Sequence, residues 1–224
     1  MFNLRFMHSF TEENYLKAIY HLSTINSLVV STNQIAEMTN TKAASVTDML
    51  KKLSDKKLIH YIRYQGVTLT EIGKNVALNI VRKHRLWEVF LVEKLGFKWD
   101  EVHDIAEELE HINSEMLINR LDDFLGNPSA DPHGDPIPDR MGAIPLKKLV
   151  RISDMIQNQY GIITGVSEHS SVFLKLLEKL GLTLGTKIMI SELIEFDGSI
   201  ILLVNEITDR TISREVAKNI LVML

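Results

Sequence analysis

Cysteine is absent from the 224 residues. Without it there can be no disulfide framework, no zinc ribbon and no thiol chemistry, which fits a reducing compartment. No apolar run approaches the length of a membrane span, and the opening MFNLRFMHSF is too short and too interrupted for a signal peptide. These absences lead to the expectation of a soluble cytoplasmic protein that does not associate with membranes. Neither a Cys-x-x-Cys pair nor a His-Glu-x-x-His unit is present, so any bound metal must be held by a less specific pattern. Internal repeats and low-complexity tracts are absent as well.

What remains is an ordinary globular composition, 45% apolar and 24% charged, with room for one large or two to three small domains. The net charge of −4 conceals a division along the chain. Residues 1–85 carry 12 basic and 6 acidic side chains, residues 86–145 carry 4 and 14, and residues 146–224 carry 9 of each. A basic first third beside an acidic middle suggests a polyanion-binding module joined to one that gathers cations.

Thr11, Glu12 and Glu13 make a helix start, and Tyr15, Leu16, Ile19 and Leu22 keep the helical period. Ser31 caps a short helix to Met38, and a longer one follows Thr39-Asn40-Thr41 through Val46, Leu50 and Leu53, a helix-turn-helix pattern. LIHYIRYQGVTLT, from Leu58 to Thr70, reads as a β-hairpin with Arg63 near its tip, which makes the pair a winged helix. Thr70 caps a long helix with Ile72, Val76, Ile80 and Trp87 on one stripe, ending near Leu95-Gly96. All five prolines fall between Gly126 and Pro145, marking a loop or linker. Beyond it, strands at Tyr160–Val166, Lys187–Phe196 and Ser199–Val204, the last two joined at Asp197-Gly198, and a helix at Ser170–Lys179 compose a small β-rich domain.

His84 and Glu88 stand one helical turn apart, and His103, Glu107, Glu110 and His111 follow in the next segment. At about 100° per residue the latter four would share one face of a helix spanning Asp100 to Phe124. Imidazole and carboxylate at this spacing suit Mn(II), Fe(II), Co(II) or Zn(II). Val102, Ile105, Leu109, Ile112 and Met116 mark a core stripe on the same segment, however, and a charged face opposite such a stripe is ordinarily just solvated. Spacing alone does not separate the two.

In the basic module the second helix of the pair opens Thr41-Lys42-Ala43-Ala44-Ser45, with Thr47, Asp48, Lys51 and Lys52 after it. Small residues there admit the backbone to a DNA major groove, while Lys51, Lys52, Lys56, Lys57 and the wing's Arg63 supply phosphate contacts. A solvated basic helix is the plainer reading of the helix alone.

SVTDMLKKL (Ser45 to Leu53), KHRLWE (Lys83 to Glu88), VHDIAEELEH (Val102 to His111) and GDPIP (Gly134 to Pro138) together resemble the metal-dependent repressors typified by the diphtheria toxin repressor and the manganese transport regulator, the DtxR/MntR family. The resemblance spans almost the whole chain and implies an α+β protein: a winged helix-turn-helix over 1–72, an all-α dimerisation and metal-binding domain over 73–142, a linker over 143–154 and an SH3-like, FeoA-type β-barrel over 155–224. It implies an ancillary metal site at His84, Glu88 and His103, completed by Glu168 or His169, and a regulatory site at Glu107, Glu110 and His111 with Asn14. Lys42, Ala43, Ala44, Ser45, Thr47, Lys51, Lys52 and Arg63 would face DNA.

Glutamate at 107, where iron-sensing relatives have cysteine, favours Mn(II). Asn14 and Lys17 depart from the Asp and Glu of manganese sensors, so Fe(II) stays open. The implied function is a cytoplasmic homodimeric repressor that binds a palindromic operator when metal is plentiful. A winged-helix factor with purely structural metal is one alternative. A metalloenzyme is another, since Glu108-Leu-Glu-His111 contains a Glu-x-x-His unit, but di-iron sites need a second one and none exists.

Overall fold

The computed structural model describes residues 8–25, 29–145 and 148–224. Most of the opening MFNLRFMHSF, the start of the expected 1–72 domain and two residues of the expected linker lie outside them. The chain divides into two compact units. One runs up to His84 and takes in Leu109–Glu115 and Pro138–Ala143; the other holds Arg85–Glu108, Met116–Ile137 and Ile144–Leu224.

The first unit opens with α1 (Phe10–Ile25). It begins at Phe10 rather than after Thr11, because Ser9 Oγ accepts from Glu12 N while Glu12 Oε2 accepts from Ser9 N, at 3.3 and 3.0 Å. A second capping box, Ser31 with Gln34, starts α2 (Thr32–Met38). After the turn comes α3 (Ala43–Asp55), whose Val46, Leu50 and Leu53 are buried. Strands β1 (Ile59–Ile62) and β2 (Gly66–Leu69) pair antiparallel from Ile59↔Leu69 to Ile62↔Gly66, leaving Arg63-Tyr64-Gln65 as the wing tip. Leu16, Ile19, Ile35, Leu50, Leu53, Leu58 and Val67 form one core, each large aliphatic contributing about 1.5–3 kcal/mol by its burial. Thr70 Oγ1 accepts from Gly73 N and starts α4 (Glu71–Leu95), as the sequence indicated. Ile72, expected on its buried stripe, is instead exposed.

The single helix expected over Asp100 to Phe124 is two: α5 (His103–Leu109) and α6 (Glu115–Phe124). Ile112, Asn113 and Ser114 interrupt it, a β-branched residue followed by two side chains that compete for backbone hydrogen bonds. Glu110 and His111 therefore leave the helix, and Met116 of the supposed core stripe is 67% exposed.

In the second unit Leu86 and Val89 of α4 pack with Ile118 and Leu121 of α6 and with Ile137. The rest is built on β3 (Val150–Arg151), a 3-10 turn (Ile152–Asp154), β4 (Tyr160–Val166), α7 (Ser171–Leu180), β5 (Lys187–Leu193), β6 (Ile200–Val204), β7 (Thr208–Ile212), α8 (Arg214–Lys218) and β8 (Ile220–Met223). The strands form one antiparallel sheet in the order β3-β8-β4-β5-β6-β7. Alternate side chains such as Ile188, Ile190, Leu202 and Val222 join Leu174 and Leu177 of α7 in its core. The proline-rich loop is pinned to β4: His133 O accepts from Val166 N at 3.0 Å, and Gly134 (φ 89°) sits so close that an added Cβ would lie 2.0 Å from Thr164 O. Only glycine fits there.

Candidate metal centres and nucleic-acid interface

The winged helix presents the residues expected to meet DNA. Lys42, Ala43, Ala44, Ser45, Lys51, Lys52 and Arg63 are exposed and Thr47 is half-buried, its hydroxyl donating to Ala43 O at 3.0 Å. Two of the lysines are already engaged. Lys51 pairs with Asp48 at 3.1 Å, and Lys52 reaches Glu12 at 3.1 Å. At the wing tip the Arg63 guanidinium lies 4.8 Å from the centre of the Tyr64 ring, which is 90% exposed. Tyr64 was not singled out from sequence; an aromatic beside a basic tip residue was the available signal.

Glu12 is buried, yet its carboxyl is held at a pKa of about 2: burial opposes ionisation, but Lys56 at 2.7 Å, Ser9 N and Lys52 outweigh it. The next residue, Glu13, is also buried and meets His111 Nδ1 at 2.6 Å, with Phe10 stacked on the same imidazole at 4.5 Å. Consecutive residues of α1 thus bind α3 and the turn that carries His111.

Glu110 is fully buried within the first unit. Its Oε2 meets His84 Nδ1 at 2.7 Å, and Lys17 Nζ stands 2.7 Å from both of its oxygens. Burial alone would raise the Glu110 carboxyl, but His84 and Lys17 hold it below its ordinary value. Lys83 is buried as well; desolvation pushes its ammonium down, against the pull of Glu13 and Glu110. Asn14 Oδ1 is buried with no hydrogen-bond partner among the described residues. Imidazole, carboxylate and amide oxygen are donor types that suit a divalent ion. Glu13, Lys17 and Lys83 were not among the sites expected from sequence.

The second unit gathers another set. Glu88, Asp131 and His133 are all buried, and one ligand atom from each lies within 4.8 Å of the others. Glu88 Oε1 stands 3.7 Å from both His133 Nδ1 and His103 Nδ1, and His103 Nε2 is 3.7 Å from Glu107. Trp99 O lies 2.8 Å from His133 Nε2 and accepts a hydrogen bond from it, which turns Nδ1 towards Glu88, 3.7 Å away. Asp131 Oδ1 accepts from the backbone N of His133 and Asp135, at 2.8 and 3.0 Å. Burial first, then the charges of Glu88 and Asp135, push the Asp131 carboxyl up to about 7, against the Arg85 guanidinium, which stands 3.4 Å from Asp131 and 2.9 Å from Asp135. Burial opposes protonation of His133, but Glu88 and Asp131 raise it.

Of the two residues expected from the β-rich domain, His169 reaches this set, stacking on His133 at 4.9 Å; burial lowers its imidazole. Glu168 instead accepts from Ser170 N at 2.7 Å, at the start of α7. Asp131 and His133 were missed from sequence because they lie in the proline-rich loop, although Asp-Pro-His is itself a ligand-bearing tripeptide. Glu108 of the Glu-x-x-His unit is exposed.

Three family models match: residues 7–67 the N-terminal DNA binding domain of iron dependent repressors, residues 70–139 their metal binding and dimerisation domain, and residues 150–224 the FeoA domain. The iron-dependent repressor IdeR of Mycobacterium tuberculosis is 35% identical over 128 residues, 57% of this chain and 55% of that protein. The chain thus spans about half the length of that relative. An HTH-type transcriptional regulator of Methanocaldococcus jannaschii is 37% identical over 50% of this chain and 90% of its own. A solved manganese-dependent transcriptional repressor in complex with manganese superposes with a TM-score of 0.87 at 33% identity, covering 95% of this chain and 99% of that one.

Proposed function

The chain belongs to the family of iron-dependent repressors, and from that premise we propose that it is a divalent-metal-dependent transcriptional repressor rather than an enzyme. The observation that carries this reading is the adjacency of Glu12 and Glu13 on α1. One holds Lys52 and Lys56 of the DNA-facing helix and the other holds His111 of the metal-ligating turn. α1 is the part through which metal and DNA bias each other's binding, with reciprocal effect.

The regulatory ligands are Glu107, Glu110 and His111 with Asn14; His84, Glu88 and His103 serve the ancillary site, with His169 favoured over Glu168. Asp131 and His133 would join Glu88 in holding an ion. A bound divalent ion supplies a Lewis-acid cross-link between ligands on different segments. Hard oxygen ligands and Glu107 favour Mn(II), with Fe(II) the alternative.

The DNA-binding residues are Lys42, Ala43, Ala44, Ser45, Thr47, Lys51, Lys52 and Arg63 in a winged helix over 1–72. Residues 73–142 dimerise, 143–154 link, and 155–224 form the SH3-like domain. A homodimer reads a palindromic operator through one recognition helix per half-site. As a repressor of metal-uptake genes the protein acts in the cytoplasm. Among the described residues no helix is long and apolar enough to cross a membrane.

Operator affinity measured with chelator and then with Mn(II), Fe(II) and Zn(II) tests the reading. Affinity should rise with metal, most with Mn(II). Equal affinity in chelator would leave only the factor with structural metal.

A further inference from the structure

Lys17 sits on α1 one turn after Asn14, and its side chain is largely buried at 11% exposure. Its Nζ lies 2.7 Å from Oε1 and 2.7 Å from Oε2 of Glu110, so a single cationic centre already occupies the bidentate position of that carboxylate. Oε2 is further engaged by His84 Nδ1 at 2.7 Å. Lys83, buried on α4, is drawn by the charges of Glu13 and Glu110 as well.

A divalent ion bound at Glu110 would stand beside the Lys17 ammonium in a largely buried place, where repulsion between like charges is weakly screened. The ion and the Lys17 ammonium are therefore alternatives for the same oxygens. The chemistry of Asn14 is complementary: its buried Oδ1, unpartnered among the described residues, is an acceptor on the same helix, one turn from the group that must leave.

We propose that Lys17 is a built-in competitor for the metal at Glu110, an ammonium standing in the cation's place, which sets the free-metal concentration at which this site fills. The proposal rests on the reading of Glu110 as a metal ligand. It makes Lys17 a determinant of metal affinity without being a ligand. In the metal-free protein its contact with both Glu110 oxygens ties the turn at Glu110 and His111 to α1. On metal binding Lys17 is expelled.

The test compares the whole chain with its Lys17→Gln and Lys17→Arg variants by calorimetric titration with Mn(II) and by thermal midpoint with and without it. Gln keeps a donor for Glu110 but removes the charge, so its Mn(II) affinity should rise by at least about tenfold. Its metal-free midpoint should fall and its metal-induced rise should grow. Arg keeps the charge and holds a carboxylate bidentately, so its affinity should equal that of the parent or be weaker. A folded Lys17→Gln protein that binds Mn(II) no tighter than the parent overturns the proposal while leaving the proposed function standing. Tighter binding by Lys17→Arg overturns it too, even where the Gln variant does not fold. Binding by Lys17→Gln where the parent binds nothing supports it, whereas binding by none of the three overturns both the proposal and the reading beneath it.

Discussion

Glu12 and Lys56, 44 residues apart, are joined at 2.7 Å through a carboxylate that is 1% exposed. The end of α3 is thereby fixed to α1 beside the residue that holds His111. Replacing Glu12 by Gln should cost about 1.5–3 kcal/mol of folding stability, the range for hydrogen bonds to charged groups, and should loosen metal control of operator binding. Urea unfolding and metal-dependent DNA titration read the two effects. Because the folded carboxyl is held at about 2 against an ordinary 4.5, its stabilisation is present above pH 4.5 and is lost as pH falls towards 2. Part of the parent's acid destabilisation should therefore vanish in Glu12→Gln.

Glu107 discriminates between a sensor and a protein with structural metal. Glu107→Ala should fold with an unchanged far-UV spectrum and lose metal-stimulated operator binding. Glu107→Cys should move preference from Mn(II) towards the softer Fe(II) and Zn(II), since thiolate disfavours the harder ion. Competitive titrations against a chelating indicator would show the shift, and unaltered selectivity in the Cys variant would remove Glu107 from the ligand set.

His133 sits beside Glu88 and Asp131, in the other compact unit from Glu110. His133→Ala should lower bound divalent metal by one equivalent per chain, measured by equilibrium dialysis, while metal at the Glu110 site is kept. Undiminished stoichiometry would exclude the Glu88, Asp131 and His133 set as a site.

Lys42 and Arg63 are exposed, one at the start of α3 and the other at the wing tip. Each Ala substitution should weaken operator and non-operator DNA alike and reduce the slope of log affinity against log salt by about 0.9 for each phosphate no longer neutralised. An unchanged slope in both would remove these residues from the interface.

Gly134 has no room for a side chain. Gly134→Ala combines a positive φ with a Cβ 2.0 Å from Thr164 O and 2.4 Å from Gly165 Cα, so roughly 3 kcal/mol or more of stability should disappear. Urea midpoints would register it, with weaker metal binding at Asp131 and His133 as the companion effect.

The sequence alone determined the local elements whose signals are local. Ser31 with Gln34, Thr70 at the head of α4, the wing around Arg63 and the strand pairs flanking Asp197-Gly198 are each written in a few neighbouring residues. The family followed from the ordered blocks between Ser45 and Pro138. Tertiary structure decided what depends on partners distant in the chain. The interruption at Ile112 to Ser114 took Glu110 and His111 off the face they would have shared with His103 and Glu107. Helical periodicity cannot show this, because it presumes the helix continues. Nor could spacing show that Lys17 would lie against Glu110, 93 residues away, or that Asp131 and His133 would meet Glu88. Burial makes those encounters consequential: a charge taken out of water must find its counterpart, and only the folded chain settles which one it finds.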